Sequence, residues 1–154
     1  MYTIIDIIDK IIEIEKKALE FYKMLQKNPN INERVRLAAG VFVREEGRHI
    51  EIYESIKKDV SDFRDIQIDF DVYDSISKIV LEFRRSLVHS QADDVQKLLA
   101  GALDFEQKNL ALVIRIQGLL VRKKEDAETN SYKALTRIIH EEEGHIKMIE
   151  TFLR

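Results

Sequence analysis

Arg44-Glu45-Glu46-Gly47-Arg48-His49-Ile50 and His140-Glu141-Glu142-Glu143-Gly144-His145-Ile146 resemble each other when their histidines are aligned. Each holds a Glu-x-x-His, and residues three apart share one face of a helix. A second pair, Ile14-Glu15-Lys16-Lys17 and Phe105-Glu106-Gln107-Lys108, matches in the same order. The chain thus reads as a weak internal repeat. Each half carries one lone Glu and one Glu-x-x-His.

The surrounding residues place these motifs on buried stripes. Bundle helices bury positions that recur in alternating steps of three and four. The first such row is Ile4, Ile8, Ile11, Glu15, Ala18, Tyr22, Leu25, and the second is Val35, Ala39, Phe42, Glu46, His49, Tyr53, Ile56. The third is Ala92, Val95, Leu99, Ala102, Glu106, Asn109, Val113, Ile116, Leu120. The fourth is Leu135, Ile138, Glu142, His145, Ile149, Phe152. All four rows are apolar and all four are broken by one Glu in the same phase.

These rows predict four long helices. The first spans about residues 3–27 and stops at Asn28-Pro29, because proline lacks an N–H and disfavours helix at the residue before it. Asn30 with Glu33 predicts the cap of a second helix over 30–58. Ser90 predicts the cap of a third over 90–123, and the fourth starts at Asn130. Between the second and third lie residues 59–89. There, 61–74 alternate as an extended crossover and 76–87 read as an additional short helix. Short links within pairs and a long one between them predict an all-α, single-domain four-helix bundle of two antiparallel hairpins.

Composition agrees. Among 154 residues, 45% are hydrophobic and 34% charged, with five Gly, one Pro and no Cys. So few turn-formers exclude a many-stranded β fold. The absence of cysteine excludes disulfides, thiolate nucleophiles and cysteine-ligated metals. No run of about 20 apolar residues exists to span a bilayer, and Asp6 and Asp9 break any secretory leader pattern. A net charge of −3 gives no electrostatic footprint for nucleic acid. The expected setting is the cytoplasm, with neither membrane nor nucleic acid as partner.

Chemistry follows from the buried glutamates. One unpaired buried carboxylate costs several kcal/mol, and four together also repel. Two divalent cations would supply about four positive charges and a partner for each lone pair. Glu46 with His49, and Glu142 with His145, can each reach one ion, while Glu15 and Glu106 complete or bridge the pair. This is the donor pattern of carboxylate-bridged di-iron bundles. Carboxylate oxygens with two imidazoles suit Fe or Mn, admit Zn and disfavour Ca.

In order and helix placement, Glu15, Glu46-Gly-Arg-His49, Glu106 and Glu142-Glu-Gly-His145 resemble the ferritin-like superfamily, nearest its rubrerythrin branch. Glu15-Lys-Lys-Ala18-Leu-Glu-Phe21-Tyr22 is similar to the first-helix motif of that branch. The resemblance covers nearly the whole chain. It implies metal ligands Glu15, Glu46, His49, Glu106, Glu142 and His145 around two Fe ions, and an oxidoreductase that reacts with hydrogen peroxide or dioxygen. It also implies a homodimer. Two departures matter. Full-length rubrerythrins carry a cysteine-ligated rubredoxin domain, so a chain without cysteine needs an external electron-donor protein. Rubrerythrin sites also often carry a further Glu where this chain has Asn109.

Other readings stand beside these. Tyr22 and Tyr53 either hydrogen-bond ligand carboxylates or fill the core. Asn109 is a donor to the ligands, a weak ligand or a satisfied core amide. Gly47 and Gly144 permit close packing, a local distortion, or neither. The same residues would also serve a ferritin-like iron-oxidising, iron-handling protein, a manganese catalase-like relative, or a structural bundle with a vestigial site.

Overall fold

In a computed structural model describing residues 1–87 and 93–153, the chain is all-α apart from one short pair of strands. Strand β1 (Tyr2–Thr3) leads into α1 (Ile4–Lys27). The Thr3 hydroxyl caps α1 by accepting from the Ile5 N–H (3.2 Å), and Asp6 accepts from the Thr3 N–H (2.8 Å). The helix ends at Asn28, before Pro29.

Helix α2 (Glu33–Val60) is capped by Asn32, whose side chain accepts from the Arg34 N–H at 2.8 Å. The expected cap, Asn30, instead lies in the turn, where its N–H donates to the Asn28 side chain at 3.0 Å. An asparagine before a turn captures the amide two residues on, and that moves the helix start by two residues.

The long connection is more helical than expected. Only Gln67–Ile68 (β2) is strand, antiparallel to β1 with Tyr2 opposite Ile68. Helix α3 runs over Phe70–Ser86, six residues earlier than the sequence predicts. Its buried Val72, Ile76, Ile79 and Val80 keep helical spacing, so the alternation that suggests extended chain stops at Ile68 and Val72 belongs to the helical set.

Helix α4 (Val95–Leu119) is capped by Asp94, which accepts from the Lys97 N–H at 2.8 Å. Ser90, expected as this cap, lies outside the described residues, as do His89 and Ala92. The helix stops four residues short of Lys123, because Asp126 accepts the N–H groups of Arg122 and Lys123 and turns the chain into a 3₁₀ segment over Lys124–Glu128. Helix α5 (Asn130–Leu153) follows.

Helix α1 packs along α2, and α4 along α5; α2 also meets α4 and α5, while α3 lies against α1 and α4. The inward rows form the core. Every described member is buried or half-buried except Phe152, which is exposed at the end of α5. No helix of the described residues is long and apolar enough to cross a membrane.

Candidate metal centre

Six ionisable side chains interrupt this core. Glu15 comes from α1, Glu46 and His49 from α2, Glu106 from α4, and Glu142 and His145 from α5. Five are 0% exposed and His145 is 2% exposed. The rings of His49 and His145 meet edge to face, with centroids 4.5 Å apart. The Nδ1 of His145 lies 3.2 Å from Glu106 Oε1 and 4.0 Å from Glu46 Oε1.

Two sets of potential ligand atoms each fall within 4.8 Å of one another. One is His49, Glu106 and His145; the other is Glu15, His49, Glu106 and Glu142. Glu46 belongs to neither set, though it stands beside Glu15 and Glu106 as well as His145. The tight groupings therefore run between helices rather than along them. Residues three apart are displaced by about 4.5 Å along a helix axis. His145 thus meets glutamates from neighbouring helices, Glu106 of α4 and Glu46 of α2.

The cluster is short of hydrogen-bond partners. Ten oxygen and nitrogen atoms of the six residues are buried with no aligned partner: Glu15 Oε2, Glu142 Oε2, and both polar atoms of Glu46, His49, Glu106 and His145. The short His145–Glu106 approach is not aligned as a hydrogen bond. The carboxylates face one another acceptor to acceptor, so they pair only where a proton lies between them. Among the described residues, three hydrogen bonds from outside the six reach them. Tyr53 donates its hydroxyl to Glu142 Oε1, and the Asn109 amide donates to Glu15 Oε1 at 2.8 Å and to Glu142 Oε1 at 3.2 Å.

Electrostatics follow from this burial. Desolvation, then the neighbouring carboxylates, holds Glu15, Glu46, Glu106 and Glu142 well above the ordinary carboxylate range. Desolvation likewise pushes His49 down to about 3 and His145 down to about 4. Both imidazoles are therefore neutral at pH 7 and have lone pairs to give. Buried carboxylates and neutral imidazoles at this spacing can hold a metal ion, and the partnerless atoms are those such an ion would take.

Of the three supporting residues, Tyr53 and Asn109 bond the carboxylates directly. Tyr22 is brought close but not bonded: no hydrogen bond from its hydroxyl to the cluster is seen among the described residues. It stacks on Phe42 (centroids 5.0 Å, 26°), and burial followed by Glu46 raises its hydroxyl well above the ordinary tyrosine value. Phe42 in turn stands at an angle to the His145 ring at 6.4 Å, walling the cluster. The sequence reading did not single out Phe42, although it lies one turn before Glu46 on the same stripe. His140 is exposed, and Gly47 and Gly144 border open space rather than a packed helix.

Compared with known proteins, the chain matches no family model, no curated protein and no solved structure. The class that the fold and the cluster define is thus an all-α bundle with a buried Glu/His group able to bind metal.

Proposed function

We propose that this chain is a ferritin-like bundle of the rubrerythrin type, two hairpins joined by the α3 crossover. In this reading Glu15, Glu46, His49, Glu106, Glu142 and His145 hold two iron ions, with manganese or zinc able to take the same donors. Its activity is then reduction of hydrogen peroxide or dioxygen, with electrons drawn from a separate redox protein because the chain has no cysteine. The observation that carries the reading is the set of ten buried, partnerless donor atoms converging from four helices.

The bound ions would supply Lewis acidity and redox electrons. The chain's own contribution is to hold the donors. Tyr53 and Asn109 fix the carboxylates of Glu142 and Glu15, while Phe42 and the apolar rows above and below keep bulk water out. Neutral His49 and His145 need lose no proton to donate.

Elemental analysis of untagged protein, before and after anaerobic Fe(II) loading, tests the reading. The expectation is about two ions per chain, as in carboxylate-bridged bundles, lost in the Glu46→Ala/His145→Ala double variant. Loaded protein should then consume peroxide with an external donor. A large hollow particle would instead indicate iron handling, and absence of stoichiometric metal would leave a structural bundle.

A further inference from the structure

Asn109 is an odd residue to bury, and its surroundings say what it is for. It sits on α4 one turn after Glu106, fully buried. Its two amide hydrogens are spent on carboxylates from different helix pairs, Glu15 of α1 and Glu142 of α5, while its Oδ1 is buried without a partner. Its nitrogen faces both carboxyl oxygens, which accept whenever those groups are ionised. A leucine would fill the same space with no orphaned oxygen. The amide is therefore satisfied only on the side that meets the carboxylates, which a merely space-filling role does not explain.

The contacts are also one-sided. Asn109 bonds two members of the group formed by Glu15, His49, Glu106 and Glu142, and neither His145 nor Glu46. We propose that Asn109 is a positioning residue for one half of the centre. It ties Glu15 to Glu142 and sets the affinity of the ion those carboxylates share with His49 more than that of the ion held beside His145. This deepens the metal-binding reading above and rests on it.

Cobalt(II) titration of the whole chain, followed by visible absorption, tests this with Asn109→Leu, Glu15→Gln and His145→Ala. In Asn109→Leu one binding step should weaken about 10- to 100-fold, the usual cost of losing a group that orients a ligand, with an altered cobalt spectrum for that step alone. Glu15→Gln should weaken the same step, and the double variant with Asn109→Leu should be clearly less than additive. His145→Ala should weaken the other step. Asn109→Ala, which leaves room for water, replaces the leucine variant should that one not fold. Wild-type affinities in the Asn109 variants, or equal weakening of both steps, would overturn the positioning role while leaving the metal centre intact. A wild-type chain that binds no cobalt overturns the metal reading and the positioning role together.

Discussion

Two layers of the same bundle, one turn apart, are equally buried and built on opposite physics. In one, Ile8 and Ile11 of α1 are wholly enclosed among apolar side chains. In the next, Glu15, Glu46, Glu106 and Glu142 are just as enclosed among one another, with two imidazoles between them. Burial in the first layer removes apolar surface from water and stabilises the fold. Burial in the second strips solvent from six polar groups and returns three hydrogen bonds from Tyr53 and Asn109. The first layer stabilises the chain whatever is bound; the second opposes folding until something supplies the missing partners. A bundle that keeps such a layer accepts instability in exchange for a group able to hold a metal ion.

The largest expected effect comes from breaking the apolar layer. Ile11→Ala removes a fully buried side chain and should cost about 2–5 kcal/mol. Chemical denaturation checks this, and the loss should be the same with and without metal.

Glu46→Leu should do the reverse. Both Glu46 oxygens lack partners, so its removal orphans no donor. Metal-free protein should become more stable by about 1–3 kcal/mol, as when a buried polar group without partners gives way to an apolar one, and stabilisation by added metal should be reduced. The pH dependence sharpens the contrast. A carboxylate raised above its ordinary value of 4.5 contributes its stability below that value, and loses it as pH rises toward the folded value. Histidines lowered from 6.5 contribute above 6.5 and lose it as pH falls toward about 3 and 4. Metal-free wild type should therefore weaken on both sides of a mildly acidic optimum. Glu46→Leu should flatten the alkaline side, and Ile11→Ala should shift the whole profile down without changing its shape.

This contrast was legible in the sequence because a Glu in a greasy helical row stands out at any position, and four in one phase stand out further. Helix number, the inward rows and the convergence of Glu15, Glu46, His49, Glu106, Glu142 and His145 all follow from period and phase. What period does not encode is which side chains meet across helices, and the structure sets His145 against Glu106 at 3.2 Å. Local side-chain competition was equally hidden. Asn28 captures the Asn30 amide and leaves Asn32 to start α2, and Asp126 ends α4 early. In the crossover, Ile66 and Ile68 alternate as a strand should, and only the helical spacing of Val72, Ile76 and Ile79 shows where α3 takes over.

The smallest effect lies outside both layers, on the helix backs behind the cluster. Gly47 and Gly144 each precede a cluster histidine, by two residues and by one. A Cβ at either position would meet nothing within 4 Å, and neither residue has positive φ. Close packing therefore does not require them, and alanine fits both the space and the backbone. Glycine inside a helix is about 1 kcal/mol less favourable than alanine, partly because it leaves the unfolded chain more freedom. Gly47→Ala and Gly144→Ala should each raise stability by up to about 1 kcal/mol, read as a small rise in thermal midpoint. Metal content and cobalt spectrum should be unchanged if the glycines play no part in placing the histidines. A gain in stability with a weakened metal step would instead show that local helix flexibility helps His49 or His145 reach its ion, and would join the helix backs to the polar layer in front of them.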